Sequence, residues 1–414
     1  MSPRNTLRTG HGRIAVIGAG IRGLVSAGYL KGRGYAVRIF DKADSPGGIW
    51  RQVYASSVIN TPAHGYTFHP GNIWQEDPTP RNEILANIDR LVAEEALGPL
   101  LRMGQAVDHV VHTPKGRWLV GNDPEPYDGV LVCTGFLGAN KLPAAASISK
   151  YSGQVLPPYA FEENVLFDRN VVIVGSGSTA LEMLMLAESC KAKQATLVVR
   201  PGTEIRDNGR AEYAKFWVSS NPFIYSLTKR GAGHSAAVAP GITRVLASER
   251  TSVIEGEFAE ASGHKARLAD GRKLPADLIV WCTGWNSPTP AWVAENRSQP
   301  TLVTAMCPRC LDTSGFGFGS SSIHAKVLDA ILSFGLDQAF DASNYGCDCE
   351  SEPTRHGPHI ISSAMRFLLA QPDGVKILSS LVAEGWRSNM HRFRTAHEPR
   401  WVSMMSFFNA PLGL

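Results

Sequence analysis

The feature that most constrains the fold of this chain is an apolar segment that runs directly into closely spaced glycines. Ile14–Ile17 has the pattern of a buried parallel strand, and Gly18, Gly20 and Gly23 follow it. In a strand–turn–helix unit the first glycine permits the turn, the second lets a phosphate approach the backbone, and the third lets the helix pack on the strand. The free N–H groups at the start of such a helix attract phosphate. The pattern therefore predicts a dinucleotide-binding unit.

The residues after this turn extend the predicted site. Asp41 lies 23 residues after Gly18 and ends a second apolar strand. A carboxylate at this position can accept hydrogen bonds from both hydroxyls of a ribose. The further residues expected to contact this first dinucleotide are Lys42, Gly48 and Trp50.

The same pattern returns later in the chain. Gly175 lies 157 residues after Gly18, again behind an apolar run, and Arg200 ends the next apolar strand. An acid suits free ribose hydroxyls, whereas an arginine suits a 2′-phosphate. We therefore predict that the first unit binds FAD and the second binds NADPH. The residues expected around NADPH are Gly175, Gly177, Ser178, Thr179, Ala180 and Arg200.

Two other apolar strands each end in a Thr-Gly pair. This pair places a small side chain and backbone amides at the carboxyl edge of a sheet, where open α/β sheets bind their ligands. We expect both pairs to contact the cofactors. They are Thr134 and Gly135 in the first unit, and Thr283 and Gly284 in the second.

The order of these elements predicts an α/β fold with two Rossmann-like dinucleotide-binding domains. At 414 residues the chain exceeds one ordinary domain. We expect the FAD-binding domain to be split in sequence, with the NADPH-binding domain inserted. The expected parts are residues 1–155 for the first FAD segment, 156–288 for the NADPH domain, and 289–414 for the second FAD segment with C-terminal helices.

Composition excludes several classes of function. The net charge is only +4 and no concentrated basic run occurs, so we expect no nucleic-acid partner. No apolar stretch reaches the roughly 18 residues of a membrane span, and the N-terminus lacks a hydrophobic signal core. Seven cysteines do not suggest a secreted disulfide scaffold. We expect a cytoplasmic protein without a membrane partner. The sequence is compatible with a homodimer.

With its motifs in this order, the chain resembles the class B flavin monooxygenases, which include flavin-containing and Baeyer–Villiger monooxygenases. The resemblance covers roughly residues 12 to 290. Residues Tyr54–Pro62 are similar to the tyrosine-to-Asn-Thr stretch of the branch that oxygenates nitrogen or sulfur, where the Baeyer–Villiger branch usually carries Asp. The resemblance implies that Asn60 is catalytic and that Thr61 contacts a cofactor. Without it, Asn60 would more simply cap a turn beside Pro62.

The resemblance also implies a reaction. NADPH reduces FAD, O₂ adds to give a C4a-(hydro)peroxyflavin, and the distal oxygen passes to a nitrogen or sulfur atom of a small-molecule substrate. In the family's linker fingerprint a His stands where this chain has Pro157. The alternatives are Baeyer–Villiger oxygenation of a ketone, a flavin disulfide reductase, and a non-catalytic nucleotide- or metal-binding protein.

Three further features have more than one interpretation. A Gly/Ser-rich loop at Asp312–Ser322 precedes a helical pattern. It could bind an anion at the start of that helix, or it could be a surface linker. The long segment Pro201–Ser248 could cover substrate or nicotinamide, or pack as an aromatic core. Four cysteines could form a zinc site, a redox pair or free thiols, and Cys133 and Cys282 are expected to be buried as small apolar residues. The four are Cys307, Cys310, Cys347 and Cys349.

Overall fold

The structure is a computed structural model. It describes residues 12–59, 66, 68–69, 71–76, 78–135, 138–207, 237–286, 290–296, 298–304, 323–340, 367–371 and 374–375. Within these residues no helix is both long enough and apolar enough to cross a bilayer.

The strands, in chain order, are β1 (Arg13–Ile17), β2 (Ala36–Phe40), β3 (Leu101–Arg102), β4 (Val110–His112), β5 (Trp118–Val120), β6 (Gly129–Val132), β7 (Lys150–Tyr151), β8 (Gln154–Leu156), β9 (Asn170–Val174), β10 (Gln194–Val199), β11 (Ile205–Arg206), β12 (Ala237–Val238), β13 (Thr251–Glu255), β14 (Phe258–Gly263), β15 (Lys265–Leu268), β16 (Lys273–Pro275), β17 (Leu278–Trp281) and β18 (Leu302–Thr304). The helices are α1 (Ile21–Gly32), α2 (Arg81–Glu94), α3 (Ala145–Ile148), α4 (Ser178–Ser189), α5 (Ile242–Leu246), α6 (Ala291–Glu295) and α7 (Ile323–Phe334).

The first unit is a parallel sheet in the order β18–β6–β1–β2–β3. Its central strands are covered on both faces, which explains their continuous apolar runs. Ile14 and Val16 face a core that α1, α2 and α7 complete, whereas Ala15 and Ile17 face a second core. That second core contains residues of β4, β5 and α6.

The second unit repeats this plan with the parallel order β13–β10–β9–β17–β8. Helices α4 and α5 contribute to the core on one face, and the antiparallel strands β14, β15 and β16 contribute to the core on the other. The two units share the succession strand, glycine turn, helix, strand. The predicted α/β fold with two such units is confirmed.

The chain returns to the first sheet after it has completed the second. Strand β18 follows the second unit in sequence and pairs with β6 of the first. This arrangement supports the proposed split of the FAD-binding domain. Strand β8 pairs with β17 and crosses the proposed boundary at residue 155, so the three ranges stay a proposal.

Helix α7 is anchored to α1 through a buried carboxylate. Asp329 is fully buried and accepts hydrogen bonds from the hydroxyls of Tyr29 and Tyr35 and from Nε of Arg33, each at 2.9 Å. Lys326, one turn earlier, has its Nζ 5.9 Å from the centre of the Tyr29 ring. The two helices therefore run side by side in the same direction, and both begin at the carboxyl edge of the first sheet.

Candidate functional site

The first glycine turn has the geometry that a dinucleotide requires. Gly18 adopts φ +112°, and a Cβ there would lie 2.2 Å from the carbonyl oxygen of Cys133. A Cβ on Gly23 would lie 1.8 Å from the carbonyl oxygen of Gly18. Only glycine fits at either position, because the turn and the helix approach the backbone too closely for a side chain.

Gly20 differs from the other two glycines because space lies in front of it. It precedes the first turn of α1 at φ −74°, and no side chain caps that end of the helix. A Cβ added there would approach only the Cα of Gly48, at 3.8 Å. Uncapped N–H groups beside open space are a suitable cradle for a pyrophosphate.

Asp41 stands beside this cradle, directly after β2. Its Oδ2 accepts a hydrogen bond from the N–H of Ala19 at 2.6 Å, and its Oδ1 accepts one from the N–H of Ala43 at 2.9 Å. Each carboxylate oxygen can accept a second hydrogen bond, so a ribose can still be bound. The residues present therefore fit the adenosine diphosphate part of FAD.

The predicted Gly48 and its neighbour Gly47 lie against the first turn. Gly47 donates its N–H to the carbonyl oxygen of Ala19 at 2.9 Å, and Gly48 adopts φ +58°. Trp50 donates its indole N–H to the hydroxyl of Tyr66 at 2.7 Å. Gly48 is thus close to the cradle. Trp50 is held by the hydroxyl of Tyr66, a partner that the sequence did not indicate.

The second unit has an equivalent turn. A Cβ on Gly175 would lie 2.4 Å from the carbonyl oxygen of Cys282, just as Gly18 faces Cys133. Gly177 precedes α4 at φ −115°, and a Cβ there would meet nothing within 4 Å. The two helix starts are therefore built alike, and the residues present fit a second dinucleotide.

Arg200 follows β10 at the position that Asp41 occupies after β2. Its side chain is exposed, and its backbone N–H donates to Oγ of Ser176 in the glycine turn at 2.8 Å. The backbone of Arg200 is therefore tied to the turn, and its exposed side chain starts beside the place where a ribose would bind. This contrast between Asp41 and Arg200 distinguishes two otherwise equivalent units.

Both Thr-Gly pairs lie at the carboxyl edges of their sheets, next to the glycine turns. The N–H of Cys133 donates to Ile17 and that of Cys282 to Val174, each at 2.7 Å. Gly135 and Gly284 then adopt positive φ, +80° and +105°. The pairs thus lie where the predicted cofactors would bind.

The cysteines in front of these pairs are buried, as predicted. Cys133 is 6% exposed and Cys282 is 7% exposed. Burial raises the pKa of the Cys133 thiol to about 12 and raises the pKa of the Cys282 thiol as well. Both are therefore neutral thiols at ordinary pH.

Several predicted features lie outside the described residues. They are Asn60, Thr61, the loop 312–322, residues 208–236 of the long second-unit segment, and the cysteines at 307, 310, 347 and 349. Among the residues that the structure does describe, no cluster of three or more His, Cys, Asp or Glu side chains could hold a metal ion.

Sequence reasoning missed one polar cluster between the two units. Glu182 of α4 accepts hydrogen bonds from the hydroxyls of Ser57 and Tyr159. A signal was present, since Glu182 is the first charged residue of α4 and otherwise has the apolar neighbours Leu181 and Met183. Its partners could not be found, because Ser57 lies 125 residues away in sequence.

Comparisons with known proteins agree with this arrangement. The model of the pyridine nucleotide-disulphide oxidoreductase family matches residues 12–299. A Baeyer-Villiger monooxygenase of Streptomyces coelicolor is 27% identical over 336 residues, which are 67% of this chain and 64% of that protein. Flavin-containing monooxygenase 5 of Cavia porcellus is 29% identical over 243 residues, 52% of this chain and 45% of that protein. The chain thus spans about half to two thirds of the length of these relatives.

A solved structure resembles the chain over nearly its whole length. The S-allyl-L-cysteine S-oxygenase from Allium sativum superposes with a TM-score of 0.63 and covers 96% of this chain and 98% of its own. Its sequence identity is 18%, so the likeness concerns the fold. The resemblance to class B flavin monooxygenases inferred from the motifs is confirmed by these relatives and neighbours.

Proposed function

The chain belongs to the pyridine nucleotide-disulphide oxidoreductase family, and we propose that it is an FAD- and NADPH-dependent monooxygenase that oxygenates nitrogen or sulfur in a small molecule. The observation that carries the proposal is the contrast between Asp41 and Arg200. They occupy equivalent positions after β2 and β10 of two similar units, one suited to ribose hydroxyls and the other to a 2′-phosphate. Two different dinucleotides on one chain imply electron transfer between them.

The residues of the first unit would hold FAD in a defined way. The N–H groups at the start of α1, which has no side-chain cap, would bind the pyrophosphate in front of Gly20, and Asp41 would bind the ribose. FAD, once bound, supplies the hydride acceptor and the site of oxygen activation. The chain itself would orient the cofactor through these contacts.

NADPH is proposed to lie in front of Gly177, with its 2′-phosphate against Arg200. We expect Arg200→Ala to raise the KM for NADPH roughly 10- to 100-fold, since a hydrogen bond to a charged group contributes about 1.5–3 kcal/mol. The KM for NADH should change little, because NADH lacks the phosphate. Steady-state kinetics with both nucleotides measure this. Arg250→Ala is the control, because that arginine pairs with Glu188 on the same unit. Equal effects of Arg200→Ala on NADH and NADPH would contradict the assignment.

Asn60 is proposed to act beside the flavin, on the strength of the family resemblance alone. Its amide can donate and accept hydrogen bonds without adding a charge. We expect Asn60→Ala to keep FAD bound but to divert NADPH oxidation towards H₂O₂. The ratio of H₂O₂ formed to NADPH consumed measures this, with exposed Asn122→Ala as control. An unchanged ratio in Asn60→Ala would refute the role.

The second candidate is Baeyer–Villiger oxygenation of a ketone, which the Streptomyces coelicolor relative favours by its name. Asn60 favours the heteroatom reaction, because the Baeyer–Villiger branch of the resemblance usually carries Asp at this position. A competition among a ketone, a tertiary amine and a thioether separates the two candidates. N-oxide or sulfoxide as the main product is the expected result, and ester as the main product would favour the second candidate.

A further inference from the structure

Hydrogen bonds from two distant segments meet at Glu182, in the second turn of α4. The hydroxyl of Ser57 donates to Oε1, and the hydroxyl of Tyr159 donates to Oε2. Ser57 belongs to the first unit, Glu182 to the helix that starts at the second glycine turn, and Tyr159 to the linker between β8 and β9. One carboxylate therefore joins three parts of the chain.

The first-unit partner is held firmly by its own backbone. The carbonyl oxygen of Ser57 accepts a hydrogen bond from the N–H of Arg81 at 2.9 Å, and the N–H of Ile59 donates to Thr79 at 3.0 Å. Ser57 is only 3% exposed. The segment is therefore fixed by α2 through its backbone and by α4 through a side chain, and Asn60 follows three residues after Ser57.

The linker partner is in a conformation that needs support. Tyr159 adopts φ +64°, which costs a non-glycine residue roughly 1–3 kcal/mol. The ring of Tyr54 lies 5.5 Å from that of Tyr159 and 5.6 Å from that of Phe161. In this arrangement the Tyr159 hydroxyl donates to Glu182. Tyr159 lies two residues after Pro157, which replaces the His of the family's linker fingerprint.

The charge of Glu182 has no counter-ion within the described part of the chain. Burial raises the pKa of this carboxyl, and the hydrogen bonds from Ser57 and Tyr159 act in the opposite direction. Among the described residues, the other titratable groups that face it are Tyr159 and Cys282. Burial raises the pKa of each, so both stay neutral and neither offsets the carboxylate.

We propose that Glu182 is a positioning residue whose carboxylate holds the segment before Asn60 against helix α4 by accepting from Ser57 and Tyr159 together. A protonated carboxyl carries its own donor and binds two hydroxyl donors less well. The contact is therefore tight when Glu182 is ionised and loosens as pH falls through its raised pKa. That this contact serves catalysis rests on the proposed function, whereas the contact itself does not.

Hydrogen exchange tests the contact without any substrate. Glu182→Gln removes the ionisable group at nearly constant volume, and Glu188→Gln, on the same helix, is the matched control. In the wild type and in Glu188→Gln, exchange of the amides of residues 57–59, corrected for intrinsic rate, should rise about fivefold as the pH falls through the raised pKa of Glu182. Exchange in Glu182→Gln should be fast throughout. A Glu182→Gln profile that follows the wild type overturns the proposal.

Coupling of NADPH oxidation to product then tests the catalytic consequence. Glu182→Gln should release about fivefold more H₂O₂ per NADPH at every pH, whereas the wild type should do so only at low pH. Tyr159→Phe keeps the ionisable carboxyl, so H₂O₂ release by this variant should still depend on pH. If the pH dependence disappears in Tyr159→Phe, Glu182 is not the titrating group. If the hydrogen-exchange results are as expected but the wild type forms no oxygenated product, the proposed function is contradicted and the contact remains supported.

Discussion

Gly20→Val is expected to fold normally and to lose FAD, with the apparent dissociation constant rising at least about 100-fold. The variant should fold because Gly20 has φ −74°, which valine adopts, and because an added Cβ meets only the Cα of Gly48, at 3.8 Å. The side chain instead fills the space where a pyrophosphate approaches α1. Loss of two hydrogen bonds to a charged group, at about 1.5–3 kcal/mol each, accounts for the expected change. Titration of the apoprotein with FAD, monitored by flavin fluorescence, measures it.

The chain offers matched controls for this substitution. Gly32→Ala lies in the last turn of the same helix, meets nothing within 4 Å, and should bind FAD normally. Gly177→Val makes the equivalent change in the second unit, so it should retain FAD and bind NADPH poorly. Gly18→Ala is unsuitable, because it clashes with Cys133 and would destabilise the sheet itself. Loss of FAD from Gly177→Val, with retention in Gly20→Val, would reverse the assignment of the two units.

The second large effect is a loss of stability in acid, caused by His324 in the first turn of α7. The side-by-side packing of α7 and α1 places His324 near the start of α1, where Arg22 lies. The His324 side chain is 1% exposed, and neither of its ring nitrogens has a hydrogen-bond partner within the described residues. Burial, and to a smaller extent the charge of Arg22, lowers the pKa of His324 to about 3.

The direction of the pH effect follows from this lowered pKa. Below about pH 6.5 the unfolded chain gains a proton on His324 that the folded chain does not accept until about pH 3. The free energy of unfolding should therefore fall as pH drops through this window, by roughly 3 kcal/mol at about pH 4.5 and roughly 5 kcal/mol in all. Above about pH 6.5 the contribution of His324 to the free energy of unfolding does not change with pH.

Urea unfolding of His324→Leu at several pH values measures this contribution. The variant should lose less stability than the wild type between about pH 7 and about pH 4.5, by roughly 3 kcal/mol. His264→Leu is the control, since that side chain is 64% exposed. The same pH dependence in His324→Leu and in the wild type would exclude His324 as the cause.

The parts of the site that the sequence predicts are those set by local backbone constraints. Gly18 must be a glycine because of its positive φ, and Gly23 because a Cβ there would meet the carbonyl oxygen of Gly18; such local constraints appear as fixed spacing. Asp41 and Arg200 follow from the same logic, since each ends the strand after its turn. A single strand–turn–helix unit, recognised twice, therefore predicts the fold and the proposed positions of both cofactors.

The parts that the sequence does not predict depend on side chains far apart in the chain. Ser57 and Glu182 meet across 125 residues, and Tyr35 and Asp329 across 294. No spacing rule connects such residues, because their contact depends on how whole units pack. For the same reason the glycine turns, which fit dinucleotides, do not specify the substrate.

The most direct test of the central claim follows the oxygen atom itself. The FAD-loaded protein is incubated with NADPH, isotopically labelled O₂ and a panel of tertiary amines and thioethers, and the products are analysed by mass spectrometry. We expect one labelled oxygen atom to enter the N-oxide or sulfoxide while NADPH is consumed in equal amount. Consumption of NADPH with all of the labelled oxygen recovered as H₂O₂, for every substrate and in conditions where FAD stays bound, would contradict it.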